Sequence, residues 1–142
     1  MDTQHVQDWI ALCNAKAQYC RLLDTKQWQA WSDLWTDDFV LDTDGAGNIP
    51  LVKGKQAALA QVRSSIEYAK TCHHVHNPEI DIQGNEASVI WAMQDRVVWG
   101  DGKPSLTGFG HYHELWLKID GVWKLQKLKL TRLHLDVTAP LE

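Results

Sequence analysis

The sequence predicts an α+β fold, in which helices in the first half of the chain pack on one face of an antiparallel sheet formed by the second half. Apolar residues repeat at helical spacing in the first half. Four long runs typical of β-strands follow, at residues 72–82, 86–99, 105–119 and 122–135. Short segments rich in Gly, Asn and Asp separate these runs. Such segments suit tight hairpin connections, so the four strands should lie side by side and antiparallel.

The first predicted helix spans residues 3–23. Its apolar residues recur every three or four positions and predict one buried stripe, formed by Val6, Trp9, Ile10, Cys13, Ala17 and Cys20. At about 100° per residue, Asp24 returns to the middle of that stripe, so its carboxylate is expected to point towards the core. Alternatively, Asp24 is the N-cap of a second helix. Tyr19 lies on another line of the helix, about 140° from Asp24, where packing is its default role.

The other predicted elements are shorter. The second helix is expected from Thr25 to about Leu34, followed by a strand at residues 39–43. Residues 44–50 are rich in turn formers and predict a mobile loop or hairpin tip. A third helix is expected from Lys55 to about Tyr68, after Gly54.

Composition narrows the class of protein. The 142 residues suit a single domain, 1–142, with a core large enough to hold a cavity. A net charge of −4 with both signs interspersed disfavours a nucleic-acid or membrane-surface partner. No apolar run approaches the roughly 20 residues that span a bilayer, and no segment indicates export. We therefore expect a small-molecule substrate and a cytoplasmic location.

Two further counts refine this expectation. The three cysteines have no metal-ligand spacing, which fits free thiols in a reducing compartment. The eight tryptophans supply large apolar faces, and we expect Trp28 and Trp91 to line a pocket for a flat ligand. Three short helices should leave one face of the sheet uncovered, which predicts a homodimer or a higher homo-oligomer.

The segment from Thr71 to Asn77 is the first candidate for chemistry, because it holds three histidines within four residues. Imidazole titrates near neutral pH and can both accept and donate a proton. A buried carboxylate needs a charged or hydrogen-bonding partner. We therefore predict that Asp24 and His73 form a dyad in one pocket.

Strand alternation leaves two candidates for the inward-facing histidine. His73 lies on one face of the predicted strand and His74 on the other. Ile80 and Ile82 share the parity of His74, which favours His74 unless a bulge at Asn77-Pro78 shifts the register. We favour His73 and keep His74 as the alternative.

Histidines on the third long strand offer a competing site. His111 and His113 alternate with Leu115 and Leu117, so at least one of the two imidazoles is expected to be covered. Together with His73 and His74 they could assemble zinc ligands, but no spacing matches an established zinc motif. We predict no metal and no cofactor.

Two carboxylates suggest other reactions. Asp95-Arg96 could belong to an Asp/Arg arrangement of the epoxide hydrolase type, and Asp42 could be an isomerase-type base. A salt bridge at a strand edge accounts equally for each of them.

The order of these elements and several short motifs resemble the nuclear transport factor 2-like superfamily, and within it the SnoaL-like and scytalone dehydratase-like group. The motifs are Leu23-Asp24, Trp28, Asp37-Asp38, Gly54, Thr71-Cys72-His73, Asn77, Gly110-His111-Tyr112 and the segment at residues 118–124. The resemblance implies a cone-shaped α+β barrel with a hydrophobic pocket.

The dehydratases of this group hold an Asp and His pair, a second His and pocket tyrosines. By resemblance, Asp24 and His73 are the pair and His111 is the second histidine. Leu23 stands where one tyrosine is expected, so Tyr19 is the substitute, and Tyr112 and Asn77 are substrate-binding candidates. The resemblance implies a cofactor-independent lyase acting on a small cyclic or aromatic compound. The alternatives are a binding module of the same fold, an isomerase or an epoxide hydrolase.

Overall fold

The computed structural model describes residues 2–43 and 51–140, so the predicted loop at residues 44–50 lies outside the described residues. In chain order the elements are α1 (Thr3–Asp24), α2 (Trp28–Ser32), β1 (Trp35–Asp42), β2 (Val52–Lys53), α3 (Lys55–Ile66), β3 (Lys70–Gln83), β4 (Glu86–Val98), β5 (Ser105–Ile119) and β6 (Val122–Thr138). Within the described ranges, no helix has both the length and the apolar character needed to cross a bilayer.

The strands form one curved sheet in the order β2-β1-β6-β5-β4-β3. The sheet does not close, because β2 and β3 are its two edges. The four predicted hairpin strands are antiparallel neighbours, whereas β1 runs parallel to β6 and makes the sheet mixed. The predicted α+β fold, with N-terminal helices packed on a curved sheet, is confirmed.

The second helix is shorter than predicted. It covers Trp28–Ser32 rather than Thr25 to about Leu34. α1 ends in a tight turn at residues 25–27, in which the Gln27 amide donates to the Leu22 carbonyl at 2.9 Å. Lys26 takes a left-handed backbone with φ 59°, which a helix cannot continue.

The predicted buried stripe of α1 is wrong. Val6 is 41% exposed and Ile10 60% exposed. The buried line instead contains Leu12, Lys16, Tyr19 and Leu23, together with Asp8, Cys20 and Leu22. A helix buries the face that meets its partner, and here two charged residues lie on that face because the sheet supplies groups that pair with them.

Lys16 is completely buried between α1 and the sheet. Its ammonium forms an ion pair with Glu114 and lies 3.8 and 3.9 Å from the ring centroids of Tyr19 and Tyr112. Glu114 also accepts hydrogen bonds from two indole nitrogens, Trp91 Nε1 at 2.8 Å and Trp116 Nε1 at 2.9 Å. This network pairs both charges and brings the two tyrosine rings close to the same ammonium group.

Asp8 secures the first half of α1 in a similar way. Its Oδ1 accepts hydrogen bonds from Lys118 Nζ at 2.9 Å and from Trp123 Nε1 at 3.1 Å. Burial by itself raises the pKa of the Asp8 carboxyl, but the bonds from Lys118, Trp123 and Gln4 outweigh it and lower the pKa below its usual value. α1 is thereby tied to the hairpin between β5 and β6.

Candidate active site

The last residue of α1 meets the start of β3. Asp24 Oδ1 lies 2.7 Å from His73 Nδ1, and Asp24 Oδ2 accepts a hydrogen bond from the His73 amide at 2.9 Å. The Thr71 hydroxyl donates to Asp24 Oδ1 at 3.0 Å. Asp24 does not cap α2, because the N-cap of that helix is Gln27. The Asp24 carboxylate therefore binds β3 through three contacts, and its contact with Nδ1 orients the His73 ring.

The charge state of Asp24 follows from these contacts. Burial alone raises the pKa of a carboxyl group, but the side-chain and backbone hydrogen bonds of His73, its charge and the Thr71 hydroxyl lower the pKa of Asp24 below its usual value. Asp24 is consequently a carboxylate at neutral pH. An ionised acceptor at Nδ1 requires that this ring nitrogen carry the proton.

A bulge in β3 decides which histidine faces inward. Val75 is paired with Met93 and Pro78 with Trp91, so one extra residue is accommodated between them. His73 and Val75 therefore share the covered face with Ile80 and Ile82 despite their different parity. The side chain of His73 is 9% exposed, whereas His74 is exposed on the opposite face. This is the arrangement expected if Asn77-Pro78 holds a bulge.

A cavity of about 310 Å³ opens beside His73. Asp24 is absent from its described walls and lies behind the imidazole. Most of the wall is apolar, with four aromatic side chains, those of Tyr19, Trp31, Trp99 and Tyr112. Trp99 Nε1 donates to the Ser65 carbonyl at 2.8 Å and so ties β4 to α3, which forms part of the wall.

Two phenols lie in the cavity wall. The rings of Tyr19 and Tyr112 meet edge to face, with centroids 6.3 Å apart. Burial, with nearby negative charge, raises the pKa of both phenols well above the usual value. Both hydroxyls therefore stay protonated at neutral pH and can donate hydrogen bonds to a bound molecule.

Asp95 and Arg132 form the other charged pair of the cavity. The guanidinium binds the carboxylate through two parallel bonds, Nη1 to Oδ1 and Nη2 to Oδ2, each 2.8 Å long. The hydrogen bonds with Asp95 raise the pKa of Arg132. Gly108 makes room for this pair, since a Cβ there would lie 2.1 Å from Arg132 Nη1.

Asp95 and Arg96, which the sequence offered for an Asp/Arg arrangement, lie on opposite faces of β4. Arg96 lies on the exposed face of β4, where its Nη1 donates to Thr107 Oγ1 at 2.9 Å. Asp42, the alternative base, is the last residue of β1 and is not among the described residues that line the cavity.

The predicted role of His111 is also contradicted. Tyr112, Glu114 and Trp116 are buried residues of β5, so His111 and His113 lie on the outer face, with ring centroids 6.2 Å apart.

The four histidines considered as zinc ligands lie on different faces of the sheet, because His73 faces the cavity and His74 does not. No group of three or more potential ligands lies together within the described residues. That the protein works without metal stays a prediction.

Three of the predicted substrate-binding residues lie elsewhere. Asn77 is exposed at the bulge of β3. Trp91 is a core residue whose Nε1 binds Glu114. Trp28 packs edge to face on Trp31 at 5.9 Å, and Trp31 rather than Trp28 lines the cavity. Tyr19 and Tyr112 are both in the wall.

Sequence reasoning missed Trp31, Trp99 and Arg132. A signal for Arg132 was present, because Leu128, Leu130 and Arg132 alternate along β6 and all three line the cavity. Trp99 gave no such signal, since it follows the last residue of β4.

The SnoaL-like domain profile matches residues 4–129. The chain belongs to the SnoaL-like domain family. The probable cyclase FGR4 of Gibberella zeae is 25% identical over 130 residues, which cover 84% of this chain and 87% of that protein.

Solved structures show the same fold. A hexachlorocyclohexane dehydrochlorinase, LinA type 2, superposes with a TM-score of 0.85 at 20% identity, covering 100% of this chain and 96% of that one. A protein of Novosphingobium aromaticivorans, provisionally named a scytalone dehydratase, gives 0.84 at 20% identity, covering 99% and 97%. The predicted resemblance to the SnoaL-like and scytalone dehydratase-like group is confirmed.

Proposed function

We propose that this SnoaL-like protein is a cofactor-independent lyase, which removes a carbon-bound proton and expels an oxygen or a similar leaving group from a small cyclic or aromatic compound. The observation that carries the proposal is the Asp24 and His73 pair, 2.7 Å apart, at the wall of an aromatic cavity. General acid–base catalysis needs a group of this kind within reach of a bound substrate.

The geometry divides the work between the two residues. Asp24 occupies Nδ1 of His73, which leaves the Nε2 lone pair as the base. His73 takes the proton from carbon, the electron pair forms the new double bond, and the bond to the leaving group breaks. The imidazolium, stabilised by Asp24, then returns its proton to the departing oxygen. One imidazole thus serves as both base and acid.

His111 or a nearby tyrosine could stabilise a developing oxyanion, and of these Tyr19 and Tyr112 line the cavity. Their protonated hydroxyls can donate hydrogen bonds to negative charge that develops on a substrate oxygen, and Thr43 and Arg132 Nε offer further donors in the described wall. A donor of this kind contributes on the order of 3 kcal/mol where water is excluded. The buried Lys16 and Glu114 pair holds the two rings in place.

Charge in the cavity favours an uncharged substrate. Arg132 is the positively charged residue in the described wall, and Asp95 takes up both of its terminal nitrogens. The ion pair with Asp95 balances the charge of Arg132, so a charged substrate finds no net positive charge there, while the buried Nε, which has no hydrogen-bond partner, remains a donor for an uncharged oxygen. The names of the relatives, a cyclase and a dehydrochlorinase, are compatible with proton transfer at a cyclic carbon skeleton.

We further propose that the protein is a single cytoplasmic domain, which acts as a homodimer or a higher homo-oligomer.

The test is exchange of substrate protons in deuterated water. Uncharged cyclic ketones and halides with a leaving group next to an acidic C–H are incubated with the wild-type protein and with His73→Ala. We expect deuterium uptake or elimination only with the wild type. Binding without exchange would instead indicate a binding module, and incorporation of ¹⁸O from labelled water would indicate hydrolysis.

The pH dependence follows from the charge of Asp24. Because its lowered pKa keeps this group a carboxylate, it stabilises the imidazolium of His73. We expect kcat/KM to rise with pH to a plateau, with a midpoint set by protonation of the base, because only a neutral imidazole can accept the proton. Asp24→Asn should move this midpoint to lower pH, since the protonated ring loses its counter-charge. A rate that does not vary between about pH 5 and 8 would contradict an imidazole base.

Removal of metal should have no effect. We expect full activity after EDTA treatment and dialysis, because the proposed steps use only His73, Asp24 and phenol hydroxyls. Metal content is measured on protein purified without a histidine tag. Stoichiometric zinc, with activity lost on chelation and restored by zinc, would contradict this mechanism.

A further inference from the structure

Lys26 stands at the turn that ends α1, in an unfavourable backbone conformation. Its amide donates to the Leu23 carbonyl at 3.1 Å, and the Gln27 amide to the Leu22 carbonyl at 2.9 Å. This pair of bonds defines a helix terminus whose left-handed position is usually glycine. A side chain with φ 59° is strained there, because the Cβ comes too close to the following carbonyl oxygen. The lysine is thus less stable locally than glycine would be.

The side chain of Lys26 is linked to Asp24 through the hydroxyl of Thr71. Its Nζ donates to Thr71 Oγ1 at 2.7 Å, and Thr71 Oγ1 donates to Asp24 Oδ1 at 3.0 Å. A threonine hydroxyl has a single hydrogen. Because its oxygen accepts from the ammonium, the hydroxyl turns that hydrogen towards Asp24, the carboxylate that binds His73.

We propose that Lys26 is a positioning residue, which aims the Thr71 hydroxyl at Asp24 and places a positive charge behind the Asp24 and His73 pair. The inference rests on the proposed function and deepens it. A carboxylate that already accepts from Thr71 stabilises the imidazolium less, and a nearby ammonium repels it. Both effects act in the same direction. Lys26 keeps His73 unprotonated, and so able to act as a base, to a lower pH.

The other groups that face His73 do not supply this positive charge. Two of these groups are acidic, namely Asp24 from α1 and Asp95, which is paired in register with His73 on β4. Arg132 from β6 is bound at both terminal nitrogens by Asp95. Tyr19 from α1 is a neutral phenol. Lys26 is the cation that is linked to Asp24 through the Thr71 hydroxyl.

The test is Lys26→Gly, because glycine suits the left-handed turn and the variant should fold at least as stably as the wild type. We expect the midpoint of the acid limb of kcat/KM to move to higher pH by about half a unit or more, with KM little changed. Lys26→Arg, which keeps a charge and a donor, should restore the profile. Thr71→Val should move it in the same direction as Lys26→Gly. The matched control is Lys103→Gly, which removes the same charge from an exposed turn.

A second measurement separates this inference from the proposed function. The titration of the His73 ring is followed by NMR without substrate, in the wild type and in Lys26→Gly. A midpoint that moves upwards supports the role of Lys26 even if no substrate turns over, in which case only the proposed lyase fails. A midpoint that coincides with that of the wild type, or a shift equal to that of Lys103→Gly, overturns the role of Lys26.

Discussion

Replacing His73 with alanine is expected to lower kcat/KM by about 100-fold or more, the usual loss when a general base is removed. His73 Nε2 is the ring nitrogen left free by Asp24, and neither phenol in the cavity is ionised at neutral pH. No neighbouring base in the described wall is placed to replace it, since Asp95 is bound by Arg132. The measurement is steady-state kinetics on the substrate found by the exchange assay.

His74→Ala is the matched control. His74 is the next residue on the same strand, and it is exposed on the opposite face of the sheet. We expect unchanged kinetics for this variant and a similar melting temperature for both. Wild-type turnover in His73→Ala would remove His73 from the mechanism. An equal loss in both variants would mean that the strand had been disturbed rather than the base removed.

Replacing Lys16 with methionine is expected to reduce the free energy of unfolding by about 3 to 5 kcal/mol, the usual cost of breaking a buried ion pair on one side. The substitution leaves Glu114 charged, with two indole N–H donors but no cation. It also removes the ammonium that lies against the rings of Tyr19 and Tyr112. The measurement is equilibrium denaturation, which compares the variant with the wild type.

The double variant Lys16→Met/Glu114→Gln tests the cause. The carbonyl oxygen of glutamine can still accept from Trp91 and Trp116, while the unpaired charge is gone. We expect it to be more stable than Lys16→Met alone. A loss below about 1 kcal/mol in the single variant, the scale of an exposed ion pair, would show that Glu114 is not left as a buried, unpaired charge.

The part of the fold predicted best is the part with strong local signals. The strands β3 to β6 follow long runs of β-formers separated by turn residues, and they begin and end within a few residues of the predicted positions. A bulge at Asn77-Pro78 was an open alternative in the sequence, because proline cannot donate within a sheet and is tolerated at bulges. The mixed pairing of β1 with β6 could not be predicted, since it joins segments far apart in the chain.

Asp24 lies beside His73, but not because of the helix face on which it was predicted to lie. Asp24 was placed on a buried stripe with Val6 and Ile10, yet both of these side chains are exposed. Asp24 reaches His73 because it is the last residue of α1, where the helix ends against β3. Its location was predictable from the motif, whereas the orientation of the helix was not.

By itself, the sequence determined the fold class and the order of the longer elements, and it named Asp24 and His73 as the candidate pair. These depend on local periodicity, on turn chemistry and on short motifs, all of which can be read along the chain. Only the tertiary structure decided which faces are covered. Asp8, Lys16 and Glu114 look like surface residues in the sequence, but each is buried with a partner from another element. The energy of a buried charge depends on that distant partner. Which side chains line the cavity also depends on contacts between distant elements, and these place Tyr19, Tyr112 and Arg132, rather than His111, in the wall beside His73.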